Sequence, residues 1–317
     1  MRAVLLAALL ALGAAACVGS SSPPKRKLRP GTLIVGAVVV SPRDRVIARG
    51  ARIGVGEVNN VGGIGGKVLL RLRTAPDARA LVRGGARVVL LPCAAGDQAR
   101  AQAALAGRNV LALATCNDRP PGAAWAVGPS LADRADALFG TLRDRGVKTV
   151  TLVAGTPALR RASARWGIGV APSAPVVTGG GWSTLPAAGP AYGLDRLDRR
   201  RGRRDGVTYA TFGYPTPGTK LDEVYERYRL AYGSRPEGSE VQLGYNGIRV
   251  VDDAVDKARS PDPRAVAAVL PGLSVGGAGG VLDFPDSGSH QPRADVAVVE
   301  VDDGHLDLVR GGRPERP

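Results

Sequence analysis

The sequence predicts an α/β protein made of two doubly wound parallel-sheet lobes joined by a hinge. Through the first half, short apolar runs alternate with helix-length segments across short connections, which is typical of a parallel sheet covered by helices. The second half repeats the alternation less regularly. The 317 residues also favour two lobes, because chains beyond about 250 to 300 residues tend to divide. At 44% hydrophobic residues, the chain is too apolar for a disordered protein.

The N-terminus has the features of an export signal. Met1 and Arg2 precede an apolar run over residues 3–12, which is shorter than the roughly 20 apolar residues that a membrane-spanning helix needs. We expect a signal peptide over residues 1–16 and a Ser- and Pro-rich linker over residues 17–30. The small residues before Cys17 resemble a bacterial lipobox, in which the cysteine becomes a lipid anchor. The same residues also fit ordinary cleavage, so both outcomes stay open.

The first half carries the clearest periodicity. Residues 33–40 form an apolar run expected to be a strand, and residues 47–61 follow as a helix. Ile47, Ala51 and Val55 lie at helical spacing there, and glycines after residue 61 provide a C-terminal stop. The same reasoning predicts strands at 68–72, 87–91, 110–114 and 148–153, and helices at 77–84, 97–106 and 131–145.

The second half has longer helices and fewer strands. Apolar runs predict strands at 207–212 and 294–301, and apolar spacing predicts helices at 220–232, 239–258 and 262–270. Asp303-Gly304 is a two-residue hairpin turn, so the last two strands are expected to be antiparallel. Between residues 155 and 206 we expect one helix at 157–165, a short strand at 176–177, and a loop rich in Gly, Pro and Arg.

Two cysteines remain if Cys17 carries a lipid. Cys93 and Cys116 each follow an apolar run, with one helix-length segment between them. The ends of adjacent parallel strands are close neighbours, and an exported protein meets an oxidising compartment. We therefore predict a disulfide between Cys93 and Cys116, with two buried thiols as the alternative.

Composition argues against several functional classes. Two histidines, one methionine and three cysteines provide little for a metal site or haem, so no metal and no cofactor are expected. The formal charge of +15 matches a general arginine bias. The densest cluster of arginines lies within residues 196–204, and we expect it to be a solvated loop or a contact with the acidic cell envelope. Nucleic acid is not expected as a partner. No nucleophile elbow is present, so we do not expect an enzyme.

Several segments resemble one protein family. Residues 57–67, EVNNVGGIGGK, resemble the "INxxGGINGxK" signature that ends the first helix in branched-chain amino-acid-type solute-binding proteins of ABC transporters. The stretches 91–95, 112–116, 245–254 and 270–284 resemble later family segments in the same order. The resemblance implies the periplasmic binding protein type I fold. It divides the chain into an N-terminal lobe (31–129 plus 241–284) and a C-terminal lobe (130–240 plus 285–312).

The resemblance also implies where a ligand lies. In the family it binds between the lobes, with its carboxylate on main-chain N–H groups and hydroxyls at helix N-termini. The corresponding positions are Ser41, Ala94, Ala95, Ala114 and Thr115 in the first lobe, and Trp182 and Tyr214 in the second. The implied protein is a monomeric solute-binding lipoprotein, exported to the cell envelope, that holds an amino acid or similar small carboxylate and meets an ABC permease.

Three departures from the family bear on the ligand. Gly181 stands where the family has an acidic partner for the ligand's ammonium, and Ala94-Ala95 replaces a pair of hydroxyl residues. About one βα unit, roughly 30 residues, is expected to be missing after Val153, which shortens the second lobe. Either the ligand is not an amino acid, or the chain is a degenerate relative that acts as a sensor or structural partner in the envelope.

Overall fold

One parallel sheet and one mostly parallel sheet with an antiparallel edge organise the described part of the chain. The computed structural model describes residues 27–116, 124–187, 189–194, 204–236 and 238–314. One sheet has five strands and the other has seven, and a two-stranded hairpin accompanies them. The signal peptide, Cys17 and most of the arginine-rich run within residues 196–204 lie outside the described residues.

The first sheet has the strand order β2-β1-β3-β4-β5, and every pairing in it is parallel. Its helices lie on both faces, so β3, β4 and β5 are buried on both sides, whereas the edge strand β2 has exposed residues. The strands are β1 (Gly31–Val38), β2 (Val68–Ala75), β3 (Val88–Leu91), β4 (Leu111–Ala114) and β5 (Trp125–Ala126). The helices are α1 (Pro42–Asn60), α2 (Ala78–Arg83), α3 (Ala95–Leu105), α7 (Glu240–Ala258) and α8 (Pro263–Val269).

The second sheet has the order β14-β13-β10-β9-β8-β6-β7. Its strands are β6 (Thr149–Val153), β7 (Gly169–Val170), β8 (Val176–Thr178), β9 (Ala191–Leu194), β10 (Val207–Thr211), β13 (Val296–Asp302) and β14 (His305–Gly312). The β13–β14 pair is antiparallel, as predicted, and Asp303 and Gly304 form its turn with φ of 45° and 70°. The helices α4 (Leu131–Asp144) and α5 (Pro157–Arg165) pack on this sheet. The separate hairpin is β11 (Ser274–Gly277) with β12 (Gly280–Asp283).

The predicted elements of the first half match the observed ones within three residues, except at the start of α1. The prediction began that helix at residue 47, where its apolar spacing begins. The helix begins at Pro42 because Ser41 caps it and Asp44 completes a capping box. Proline is tolerated at the first helical position because its missing N–H would have no partner inside the helix.

Two glycines bring α1 and α7 into backbone contact. A Cβ atom at Gly50 would lie 1.9 Å from the Val241 carbonyl oxygen, and one at Gly244 would lie 1.8 Å from the Ile47 carbonyl oxygen. Such distances are far below van der Waals contact, so this crossing requires glycine on both helices. The contact holds α7 against the core of the first lobe.

The helix α6 (Lys220–Tyr232) packs on the first lobe, not the second. The half-buried Glu57 carboxylate on α1 contacts the Lys220 ammonium at 3.0 Å and the Arg227 guanidinium at 3.1 Å. Buried residues of α6 also share an apolar cluster with Val241 and Tyr245 of α7. These contacts place α6 beside the helices of the first sheet. The lobe boundary at residue 240 stays a prediction.

The segment between residues 155 and 206 is more regular than predicted. Besides α5 and β8, it contains β9, which is fully buried and pairs with β8 on one side and β10 on the other. A four-residue strand flanked by Pro, Gly and Arg shows no periodicity, so no sequence pattern predicts it. The shortening predicted for this lobe stays a prediction.

In the part of the chain that the structure describes, no helix is long and apolar enough to cross a membrane.

Candidate functional site

The carboxyl ends of the first sheet's strands meet at one edge. Leu91 pairs with Ala114, and Ala114 pairs with Ala126, so β3, β4 and β5 end side by side. At this edge the chain crosses to the second lobe, since α4 begins five residues after β5 ends. In open α/β sheets this edge is where ligands bind.

A disulfide joins two of the loops at this edge. Cys93 follows β3 and Cys116 follows β4, and their Cα atoms lie 4.8 Å apart in the disulfide. The predicted pairing is confirmed. Its physical basis is the parallel register, which places the residues after β3 and β4 next to each other. The bond fixes the backbone that leads into α3.

Asp44 connects the loop after β1 to the loop after β3 at this edge. It is not among the predicted site residues. Its carboxylate accepts hydrogen bonds from the Ser41 amide at 2.9 Å, the Ser41 hydroxyl at 2.7 Å and the Cys93 amide at 2.8 Å. Only 2% of its surface is exposed. The spacing Ser41-x-x-Asp44 is a capping pattern that could have revealed it. Asp44 thus fixes the loops after β1 and β3 relative to each other.

Two of the predicted ligand hydroxyls are occupied within the protein. The Ser41 hydroxyl donates to Asp44, as described above, and accepts from the Asp44 amide at 3.2 Å. The Thr115 hydroxyl donates to the Leu91 carbonyl oxygen at 2.9 Å, and the residue is 2% exposed. Both side chains stabilise the strand ends. Their role in holding a ligand stays a prediction, and neither has a free hydroxyl proton to donate.

The predicted main-chain donors are available. Ala94 and Ala95 are exposed at the start of α3, and no side chain among the described residues caps that helix. The first-turn N–H groups of a helix have no partner inside the helix and carry the positive end of its dipole. Ala114 differs, because it is buried and its carbonyl oxygen accepts from the Val127 amide at 3.1 Å. The anion-binding capacity of this edge therefore lies at the start of α3.

The second lobe contributes the loop after β8. The Thr178 hydroxyl lies 2.7 Å from the Thr184 hydroxyl and accepts from the Gly180 amide at 2.8 Å, so the loop is internally fixed. Trp182, predicted to line the site, begins a short 3-10 helix (Trp182–Thr184) in this loop. A Cβ atom at Gly181 would meet nothing within 4 Å. The fold therefore has room for a side chain at position 181, and packing does not require glycine there.

Tyr214 takes part in the packing of the second lobe. Its hydroxyl donates to the Leu306 carbonyl oxygen, and its ring packs beside a cluster that includes Tyr209 and Val299. These contacts hold the β13–β14 hairpin to the residues after β10. The structure gives Tyr214 a structural role, and its predicted contact with a ligand stays a prediction.

Sequence comparison relates part of the chain to known proteins. The family model described as "Periplasmic binding protein" matches residues 167–305. Among curated proteins, Leu/Ile/Val-binding protein homolog 7 of Brucella melitensis is 29% identical over 141 residues, which cover 44% of this chain and 34% of that protein. The match thus spans about a third of the length of this relative.

Structure comparison extends the likeness to nearly the whole chain. A substrate-binding protein of an ABC transporter from Desulfitobacterium hafniense, in complex with Leu, has a TM-score of 0.70 at 16% identity, over 89% of this chain and 100% of that chain. An ABC transporter solute-binding protein from Rhodopseudomonas palustris, in complex with 4-hydroxybenzoate, has a TM-score of 0.70 at 12% identity, over 90% of this chain and 98% of that one. The predicted resemblance and the periplasmic binding protein type I fold are confirmed.

Proposed function

We propose that this chain is an extracytoplasmic solute-binding protein that holds a small carboxylate between its lobes and presents it to an ABC permease. The observation that carries the proposal is the uncapped, exposed start of α3 at the carboxyl edge of the first sheet. Two proteins of the same fold were solved in complex with Leu and with 4-hydroxybenzoate. Both ligands carry a carboxylate, which supports a small carboxylate as the ligand.

The start of α3 is prepared for an anion by its surroundings. The helix spans 11 residues, and its free N–H groups and dipole favour a negative charge at Ala94 and Ala95. The Cys93–Cys116 disulfide and the bond from the Cys93 amide to Asp44 hold the preceding backbone in place. A preorganised donor set binds more tightly because less freedom is lost on binding.

The ligand that fits best is a carboxylate without an ammonium group. In the loop after β8, residues 179–181 are all glycine, so this loop has no carboxylate to pair with a cation. An unpaired ammonium buried in a closed cleft would lose its hydration without compensation. An aromatic or aliphatic acid avoids that cost. The R. palustris protein of the same fold, in complex with 4-hydroxybenzoate, is consistent with this ligand class.

The proposed mechanism is lobe closure without chemistry, so the protein is not an enzyme. The lobes are joined where the chain crosses after β5, after β10 and before β13. Asn246 of α7 braces the first crossing, because its amide donates to the Val127 carbonyl oxygen at 3.3 Å. A ligand that contacts both lobes binds the closed state better and shifts the population toward it.

The proposed location follows from the export signal. A signal peptide over residues 1–16 and a lipid on Cys17 would leave the protein on the outer face of the cytoplasmic membrane or in the periplasm. Mass spectrometry of the protein extracted from membranes tests this part. We expect the mass of a diacylated N-terminal cysteine, whereas an unmodified N-terminus would refute the anchor.

A thermal-shift screen tests the binding function. The panel contains 4-hydroxybenzoate, 4-methylpentanoate and leucine, each beside the amide that replaces its carboxylate. A ligand at 100 times its dissociation constant adds about 2.7 kcal/mol to the free energy of unfolding, so a binding acid raises the melting temperature and its amide does not. Equal shifts with acid and amide would refute the carboxylate site. No shift with any compound would favour the degenerate relative.

A further inference from the structure

One cavity among the described residues lies away from the candidate ligand site. It has a volume of about 800 Å³ and is formed at the amino ends of β1 and β2, together with the chain just after α7. The ligand site lies at the opposite, carboxyl ends of these parallel strands. The cavity therefore belongs to a different surface of the first lobe.

The cavity is lined by positive charge. Lys27, Arg29, Lys67 and Arg259 all contribute to its wall. Arg259 is paired with Asp256 at 2.6 Å. In the described part of the chain, no acidic side chain pairs with Lys27, Arg29 or Lys67. The cavity thus has an excess of cations that a bound anion would neutralise.

The N-terminal segment is fixed where it forms the cavity wall. Leu28 is 4% exposed and belongs to the core of the first lobe, while Lys27 and Arg29 on either side of it are exposed. The Gly31 amide donates to the Lys67 carbonyl oxygen at 3.1 Å, which joins β1 to the start of β2. The buried leucine therefore holds the two flanking cations at the cavity.

The chain length between the cavity and the proposed lipid limits their separation. Lys27 is ten residues after Cys17. Ten residues span at most about 33 to 36 Å when fully extended. A lipid on Cys17 would therefore keep the cavity close to the membrane surface, where the phosphates of anionic lipids are the most abundant anions.

We propose that this basic cavity, lined by Lys27, Arg29, Lys67 and Arg259, binds the phosphate headgroup of an anionic phospholipid. The proposal rests on the lipid proposed for Cys17, because that lipid would bring the cavity to the membrane. The cavity itself forms without the lipid. Binding would orient the first lobe with the amino ends of its strands toward the membrane. The cleft edge, at the other ends of the same strands, would then face away from the bilayer.

The test is vesicle binding by the full chain carrying Cys17→Ser, which removes the proposed lipid. The vesicles contain phosphatidylcholine and phosphatidylglycerol in equal parts, with pure phosphatidylcholine for comparison. Each cation near an anionic surface contributes about 1 kcal/mol, or roughly fivefold. Replacing Lys27, Arg29 and Lys67 by Gln together should therefore weaken binding about a hundredfold.

A second variant with the same charge change is the control. Lys148, Arg160 and Arg161 are exposed on the second lobe, and their replacement by Gln should leave vesicle binding within about twofold, since they lie outside the cavity. Equal loss in both variants would overturn the proposal, because it would mean unspecific attraction. Unchanged binding in the cavity variant would overturn it as well.

Inorganic phosphate distinguishes a lipid from a soluble anion. If the unaltered cavity binds phosphate in calorimetry but the protein does not bind phosphatidylglycerol vesicles, the lipid assignment is wrong. The melting temperature of each variant confirms folding. Failure of this proposal leaves the carboxylate-binding function intact, because the thermal-shift panel reports on the other edge of the sheet.

Discussion

Replacing Ala95 by Pro removes a single donor from the proposed carboxylate site. Ala95 is the first residue of α3, where proline is tolerated because its missing N–H would have no partner in the helix. The preceding residue, Ala94, has φ −71° and ψ 130°, which is the conformation that a following proline favours. This chain already begins α1, α5 and α8 with Pro42, Pro157 and Pro263.

The expected loss is the value of one hydrogen bond to a charged group. Such a bond contributes about 1.5 to 3 kcal/mol, or a tenfold to hundredfold change in affinity. The assay is isothermal calorimetry with the tightest acid of the thermal-shift panel. Ala95→Ser keeps the N–H and serves as the matched control, with affinity expected within about threefold of the unaltered protein. Equal affinity for the proline variant, with an unchanged melting temperature, would refute a ligand at the start of α3.

Three further predictions concern stability. Gly244→Ala should lower the free energy of unfolding by about 2 kcal/mol or more, because overpacking outweighs the gain in helix propensity. Gly56→Ala is the control: a Cβ there meets nothing within 4 Å, so the free energy of unfolding should rise by up to about 1 kcal/mol. A higher free energy of unfolding in both variants would contradict the α1–α7 contact. Replacing both Cys93 and Cys116 by Ala should cost about 3.5 kcal/mol for a loop with sequence separation 23, and an unchanged denaturation midpoint would contradict the role given to the disulfide. Burial raises the pKa of Glu57, but hydrogen bonds from Lys220 and Tyr245 and the nearby cations outweigh it, so the pKa lies below its ordinary value of 4.5. Its stabilisation should be present above pH 4.5 and be lost as the pH falls through the lowered pKa; a Glu57→Gln variant with the same pH dependence as the unaltered protein would refute this.

Most strands and helices of the first lobe could be predicted because they have a strong local pattern. The two-residue strand β5 has none and was not predicted. Apolar spacing predicts α1 from Ile47 onward, and the glycines after residue 61 predict its C-terminal end. The start at Pro42 depends on a side-chain cap, which apolar spacing does not contain. The disulfide was predictable because parallel strands that are adjacent in sequence place their ends together.

Features that depend on tertiary contacts could not be predicted in the same way. The helix α6 has a regular pattern, but its place on the first lobe depends on the buried apolar cluster that it shares with α7 and on the contacts from Lys220 and Arg227 to Glu57. The strand β9 is four buried residues without periodicity. The hydroxyls of Ser41 and Thr115 matched a ligand site in type, yet both bond to nearby protein groups. Residue type alone does not say whether a polar group is already satisfied.

The most direct test of the proposed ligand class compares leucine with 4-methylpentanoate, which has the same skeleton and carboxylate but no ammonium group. Calorimetry on the unaltered protein measures both dissociation constants under the same conditions. With only glycine at residues 179–181 to meet the ammonium, we predict that 4-methylpentanoate binds at least tenfold more tightly, since an unpaired buried charge costs more than about 1.4 kcal/mol. Tighter binding of leucine would contradict the account, because it would require a partner for the ammonium that the proposed site does not contain.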